Sequence, residues 1–307
     1  MNNQKDNPVL PNLLVVGVAK CGTSSLHQYL EQHPEVYMSR AKEPRYITSQ
    51  VTDLPLGGPK DDKVEAWYIK DFEKYKDLFT DVKDEKIIGE SSADTFYFHE
   101  KTIPFIKKLY GDPKIIILLR HPVKRSFSAY QHLRRDDREH LSFEEGLKAE
   151  PERIEKNFEL IYHYKAVSQY YEGVKAFMDN FSSVKVVLNE ELSSSPQSVM
   201  EDIFDFLGVK KNVEIDASER HNMSGVPKSR WLHEFLFEGK KIIVVLRPFV
   251  RMFLNKKRRE KLSRKIMQRN LTRLEIDKNT KDELFEYYKP DIKKTETLLN
   301  RDLSLWK

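Results

Sequence analysis

Apolar residues fall in short runs bounded by turn formers, and the runs alternate with segments of helical spacing. Leu13–Val18 (LLVVGV) carries no charge along its length, as a strand covered on both faces requires. Lys86–Glu90 (KIIGE), Lys114–Arg120 (KIIILLR) and Val184–Leu192 (VKVVLNEEL) read as further strands, the second of them strongly β-branched. Helical patterns lie between them. One runs from about Thr23 to Gln32 and is stopped by Pro34. KTIPFIKKLY is a second, with Pro104 in its first turn, and Pro122 opens a third that continues to about Arg135. IYHYKAVSQYYEGVKAFMDNF (161–181) repeats its apolar and aromatic positions at 3.6 spacing and predicts one long amphipathic helix. SPQSVMEDIFDFLGV predicts a capped helix closing at Gly208.

Strands alternating with helices imply right-handed crossovers and a parallel sheet flanked by helices. The expectation is a single α/β domain over residues 1–307, with 1–11 disordered. After about Gly225 the strand pattern stops, which predicts a helical C-terminal cap over 225–307. Residues 41–79 contain loop signals such as DLPLGGPKDD and read as an excursion over the sheet edge.

Composition narrows the function classes. A net charge of +5 suits an anionic ligand without demanding nucleic acid, and no basic stretch interleaves with aromatics as base stacking along a strand requires. The single cysteine, Cys21, excludes an intramolecular disulfide, and no Cys/His cluster has zinc spacing. The opening MNNQKDNPVLPN lacks the basic start and apolar core of a signal peptide, and no run approaches the ~20 apolar residues of a membrane span. A cytoplasmic protein is expected.

The chemistry concentrates after the first strand, in GVAKCGTSSL. Gly17 and Gly22 stand at the spacing of a phosphate-binding G-x-x-x-x-G, but Thr23 occupies the place of the Walker lysine and Lys20 lies inside the loop. Backbone N–H groups at such a strand-to-helix turn converge on an anion, aided by the helix dipole. Lys20 adds a cation, and Thr23, Ser24 and Ser25 add N–H and hydroxyl donors. The bland alternative is an ordinary turn with a glycine at each side. A second dense stretch is LLRHPVKRSFSAYQHLRR. Arg120 ends a strand, where open α/β sheets bind ligands, and Ser128 sits in the second turn of the next helix. Alone, these are equally a surface ion pair and a helix filler. Together with the glycine loop they suit a ligand with phosphates at both ends of a ribose. An NTPase would want a lysine beside Gly22 and an acidic strand end for Mg²⁺, and neither is present.

GVAKCGTSSL followed about a hundred residues later by LLRHPVKRSFSAYQH resembles the sulfotransferases that use 3′-phosphoadenosine 5′-phosphosulfate (PAPS), in the branch of the heparan sulfate sulfotransferases and their bacterial relatives. RAKEPRYI (Arg40–Ile47) is similar to that branch's K-E-P-H-F-F stretch, and SGVPKSRWL and the closing DLSLW look like bacterial members. The resemblance implies a P-loop-like three-layer fold, PAPS as donor, adenosine 3′,5′-bisphosphate as product and no metal. It puts Lys20, Cys21, Gly22, Thr23 and Ser24 around the 5′-phosphosulfate, Arg120 and Ser128 on the 3′-phosphate, and Glu43 as the base. Two departures stand out. Arg45 replaces the branch's histidine in that stretch. GESSADTFYF carries Ser91 and Ala93 where heparan-type enzymes often have a substrate-side lysine and a proline.

The resemblance also gives the shifted lysine a task, reaching the bridging oxygen of a shorter anhydride as its bond breaks. Rival assignments follow from the residues. Glu43 is alternatively a loop carboxylate paired with Lys42 or Arg45, and His99, His121 and His132 are competing bases, with His99 the foremost. Cys21 reads as a packing residue or as a reactive thiol. RHNMSGVPKSRW is a cationic loop that brings Lys228 and Arg230 over the nucleotide or leaves them in solvent. Residues 239–270 hold twelve Lys or Arg and one acidic residue, so they present a solvated basic face or, less favoured, a membrane-surface contact. The acceptor is expected to be a glycan first, then a lipid or small natural product. A P-loop nucleotide or small-molecule kinase and a non-catalytic binder are the alternative functions.

Overall fold

The computed structural model describes residues 9–218, 226–227, 271–272 and 274–306. Its central sheet is built from β1 (Leu13–Gly17), β2 (Val36–Met38), β3 (Ile87–Ser91), β4 (Lys114–Leu119) and β5 (Val184–Leu188), all parallel, in the order β2-β3-β1-β4-β5. Leu13–Val16 and Ile115–Leu119 are fully buried, which is why both read as unbroken apolar runs. Helices cover the faces: α1 (Thr23–Leu30), α2 (Tyr46–Val51), α3 (Asp61–Glu65), α4 (Phe72–Lys76), α5 (His99–Tyr110), α6 (Pro122–Arg135), α7 (Phe143–Glu155), α8 (Tyr171–Asn180), α9 (Asn189–Ser194), α10 (Pro196–Leu207) and α11 (Lys278–Leu299). The predicted parallel α/β sheet is therefore present.

Strand order fixes where a ligand can sit. From β1 the chain moves towards β2, whereas from β4 it moves towards β5 on the other side. Connections leaving two neighbouring strands in opposite directions open a crevice at their C-terminal ends. The glycine loop follows β1 and Arg120 follows β4, so both border that crevice.

Several expectations change. The helix over 161–181 is two 3₁₀ turns, Leu160–Tyr162 and Ala166–Ser168, followed by α8. Side chains have taken over the backbone groups a helix would pair internally. Arg125 Nη1 donates to the carbonyls of His163 and Tyr164 (3.3 Å each), Ser126 Oγ donates to that of Tyr164 (2.9 Å), and Glu150 accepts from the N–H groups of Lys165 and Ala166 (2.7 and 2.8 Å). Pro104 lies inside α5, which starts earlier at His99. The helix expected to reach Gln32 ends at Leu30. The fourth strand stops at Leu188, and its last residues form α9. β2 was not foreseen because three residues carry no period, and α7 was not, although Ser142 and Glu145 form a reciprocal capping box at its start. Strands also do not stop at Gly225: β6 (Val226–Pro227) pairs antiparallel with β7 (Leu271–Thr272). Among the described residues no helix is long and apolar enough to cross a membrane.

The described C-terminal segment is tied to the rim of the crevice. Asp291 of α11 accepts from the N–H groups of Tyr170 and Tyr171 at the start of α8 (2.8 and 3.1 Å). Trp306 is fully buried beside Tyr170, and its Nε1 donates to Glu190, which also accepts from the N–H of His121. Tyr170 in turn donates to the Arg120 carbonyl at 2.8 Å. Replacing Trp306 with Ala removes a buried indole and orphans a carboxylate oxygen. Urea unfolding of Trp306→Ala should show a loss of about 3–5 kcal/mol, and a change near zero would remove this clasp from the fold's stability.

Candidate active site

Two glycines let the loop after β1 turn. Gly17 has φ +153°, and a Cβ there would lie 2.7 Å from Phe96 Cβ; Gly22 has φ +101°, and a Cβ there would lie 2.6 Å from Asn189 Nδ2. Between them Lys20 adopts φ +74°, an unusual conformation for a side-chain-bearing residue. Three side chains hold the loop carbonyls from behind. Arg125 Nε donates to Ala19 O (3.0 Å), Arg120 Nη1 to Lys20 O (3.1 Å) and Asn189 Nδ2 to Cys21 O (3.0 Å). The N–H groups of Ala19, Lys20, Gly22, Thr23 and Ser24 find no protein acceptor among the described residues. Gly22 caps α1 without a side-chain bond, and no acidic residue stands in that helix's first turn. Free donors at a helix N-terminus with a lysine beside them form an anion cradle.

Lys20 is held down to about 8, first by burial and then by Arg135, with Arg120 adding to the effect; Asp136 and Glu43 work against it. The end of α6 therefore reaches the loop, a contact that no single motif announces. His132 belongs to the same group. Its Nδ1 meets Arg135 Nη2 at 2.5 Å, its Nε2 lies 3.5 Å from Asp136, and burial followed by the Lys20 and Arg135 charges pushes it well below the ordinary histidine range. Neutral His132 is thus the histidine that the structure brings to Lys20. His99, the foremost rival by sequence, opens α5, and no hydrogen bond or ion pair joins its side chain to the loop among the described residues. His121 packs on Phe285 at the start of α6, and burial, then Lys124, lowers it to about 4.

Glu43 sits in a left-handed turn (φ +58°) whose N–H is pinned to the Ser91 carbonyl at the end of β3 (2.9 Å). Its carboxylate accepts from Lys42 Nζ (2.5 Å) and Arg45 Nη2 (3.1 Å). Burial pushes this carboxyl up, but Lys42 and Arg45 together outweigh burial and bring it to about 2. The ion pair weighed as an alternative role is therefore present, and the carboxylate nonetheless lies near enough to Lys20 to bear on its charge. From Arg45 the pairing continues through Glu159 (2.8 Å) to Arg138 (2.6 Å) and on to Asp61.

Arg120 is half-buried behind the loop, and Ser128 is half-buried on α6 with no protein partner among the described residues for its hydroxyl. Ser126, two positions earlier, faces inward onto Tyr164 O, so Ser128 lies on a different side of the helix. β6 lies against α6, which brings the start of the cationic VPKSRW stretch to the helix that carries Ser128. Lys228, Arg230 and the basic stretch 239–270 fall outside the described residues. Cys21 departs from its assignment. Its side chain is fully buried 4.0 Å from the Tyr170 hydroxyl, burial pushes the thiol up to about 12, and its N–H is taken by Val18 O. It is a packing residue that shapes the loop from below, neither a reactive thiol nor a donor to the anion.

A family model described as the sulfotransferase family matches residues 11–212. A sulfotransferase from Alicyclobacillus acidocaldarius of known structure is 33% identical and superposes with a TM-score of 0.77, covering 97% of this chain and 99% of that one. The membrane-associated sulfotransferase kil1 of Dictyostelium discoideum is 36% identical over 158 residues, which are 51% of this chain and 28% of that protein. The bifunctional heparan sulfate N-deacetylase/N-sulfotransferase 1 of Xenopus laevis is 27% identical over 205 residues, 65% of this chain and 22% of that protein. The chain thus spans about a quarter of the length of these curated relatives. The family match contains the loop around Lys20, the turn at Glu43 and the end of β4, and the chain belongs to the sulfotransferase family.

Proposed function

We propose that this chain moves a sulfuryl group from PAPS to a hydroxyl or amine of a carbohydrate-containing acceptor. The observation that carries the reading is the cradle: five N–H groups without protein acceptors among the described residues, with Lys20 beside them, at the crevice where β1 and β4 diverge. Under this reading the loop holds the 5′-phosphosulfate, and Arg120 and Ser128 hold the 3′-phosphate. The acceptor oxygen attacks sulfur as the bond from sulfur to the bridging phosphate oxygen breaks, and that oxygen leaves with the electron pair as part of adenosine 3′,5′-bisphosphate. Lys20 stabilises the charge it acquires. Glu43 takes the acceptor's proton. An incoming anion competes for the neighbouring Lys42 and Lys20, which loosens their hold on Glu43 and strengthens it as a base. The named activities of the relatives, on heparan sulfate and other carbohydrates, support a glycan as the acceptor class.

Three measurements test the reading. Adenosine 3′,5′-bisphosphate should raise the melting temperature without Mg²⁺, by an amount equivalent to about 2.7 kcal/mol at a hundredfold excess over its Kd. Stabilisation by ATP that needs Mg²⁺ and exceeds it would instead mark a kinase. Glu43→Gln should keep bisphosphate affinity while transfer from labelled PAPS falls roughly 10²–10⁴-fold; near-native turnover in that variant takes Glu43 out of the mechanism. Because Lys20 sits at about 8, bisphosphate affinity should hold below that pH and weaken above it as the ammonium loses its proton. Lys20→Met should bind weakly at every pH and lose this step in calorimetric titrations, and an unchanged pH profile would place the titrating group elsewhere.

A further inference from the structure

Next to Arg45, on the side of Tyr68 and Asp94, lies a cavity of about 120 Å³, several times what one water molecule needs. Thr48, Tyr68, Asp94, Tyr97, Phe158 and His163 are among the side chains that line it. They come from α2, from the segment after α3, from the turn after β3 and from the turns after α7, so the cavity is made by tertiary packing and not by one local motif.

Two of its polar side chains are buried and incompletely bonded. Asp94 is 2% exposed; its Oδ2 accepts from Thr48 Oγ1 at 2.6 Å, while its Oδ1 has no partner among the described residues. His163 is 5% exposed; neither ring nitrogen makes a well-formed hydrogen bond among the described residues, and only the Phe158 backbone lies close enough to act on the ring as an acceptor. Buried polar atoms are normally satisfied, so orphans on a cavity wall point to a polar occupant. Burial raises the Asp94 carboxyl, against the pull of Arg45, and lowers His163 to about 4. The imidazole is therefore neutral, with one N–H to donate and one bare nitrogen to accept. Tyr97 stands 5.5 Å from that ring and adds an aromatic face.

The charge of the wall selects among occupants. Its ionisable acids are Asp94 and Asp53, and no lysine or arginine among the described residues lines it. A carboxylate or sulfate brought here would meet Asp94 on the wall, and the nearest cation, Arg45, is already engaged by Glu43 and Glu159. A ring bearing hydroxyls would satisfy Asp94 and His163 and rest on the aromatic side chains. The cavity also communicates with the candidate base. Arg45 Nη1 donates to Tyr68 OH at 2.9 Å, its Nε lies 3.9 Å from Asp94 Oδ2, and its Nη2 reaches Glu43 at 3.1 Å. An occupant is thus one guanidinium away from Glu43.

We propose that this cavity is the acceptor-recognition subsite and takes an uncharged, hydroxyl-rich ring of monosaccharide size, bonded by Asp94 and His163. Calling its occupant the acceptor rests on the sulfotransferase reading; the ligand chemistry does not. The test is an NMR titration of the full chain labelled in its histidine rings, with and without saturating adenosine 3′,5′-bisphosphate. The probes are methyl β-D-glucopyranoside and its anionic counterpart, methyl β-D-glucopyranosiduronate. The glucoside should shift the His163 ring signals, assigned by their loss in His163→Gln, and the uronate should bind at least about tenfold more weakly. Asp94→Asn should weaken the glucoside about tenfold or more while leaving the bisphosphate's effect on the melting temperature intact, which also reports that the variant folds. If Asp94→Asn does not fold, the glucoside affinity of His163→Gln, followed at other perturbed ring signals, decides in its place. Equal binding of the uronate, His163 signals unmoved by the glucoside up to its solubility limit, or an unchanged affinity in the variant overturns the proposal. Failure of the bisphosphate to bind and of labelled PAPS to turn over would instead remove the sulfotransferase reading, and the titration without nucleotide would still judge the cavity.

Discussion

The site depends on three peptide carbonyls being held from behind. Arg125, Arg120 and Asn189 grip Ala19, Lys20 and Cys21 by their oxygens, and the donors come from two different strand exits and from α6. A peptide whose oxygen is fixed on one side presents its N–H on the other, so the grip decides which way the loop faces. Without it, the free N–H groups of Lys20 and Gly22, whose peptide planes it fixes, would have to be turned towards an anion at the time of binding. The grip also explains why the loop tolerates a lysine in a left-handed conformation. The surrounding bonds over-determine it, as sites holding such geometry require.

A second constraint runs sideways from the loop. Lys42, Glu43, Arg45, Glu159, Arg138 and Asp61 alternate in sign and are largely buried. Buried charges persist only when paired and hydrogen-bonded, and removing one member of such a pair commonly costs about 3–5 kcal/mol. The chain stitches the excursion over residues 41–79 to the turns after α7, and it keeps Glu43 ionised against the upward push of burial.

Much of this was legible in the sequence, for a physical reason. Strands covered on both faces must be apolar throughout, so β1 and β4 stood out; β3 and β5 showed as shorter β-branched runs, and proline and glycine marked the ends of α6 and α10. The positions of Lys20 and Arg120 just past the ends of β1 and β4 were readable because a strand precedes each. The long helix expected over 161–181 failed because Arg125 and Glu150, distant in sequence, compete for its backbone. The same holds for His132 and Arg135 beside Lys20, and for the cavity at Asp94 and His163. Each arises where segments far apart in the chain meet, and no periodicity encodes the meeting. Cys21 was ambiguous because burial, which settles its chemistry, has no local signature.

Arg45 stands where the two parts of the site share a charge. One guanidinium is shared: it neutralises Glu43, lies 3.9 Å from Asp94 and donates to Tyr68. The proton affinity of Glu43 and the charge beside the cavity are therefore not separately adjustable in this chain. A lineage that reshaped the cavity for a charged partner would also have changed the proton affinity of the carboxylate next door. A change of charge here would have to arrive as paired substitutions, one at the cavity wall and one to restore the balance at Glu43.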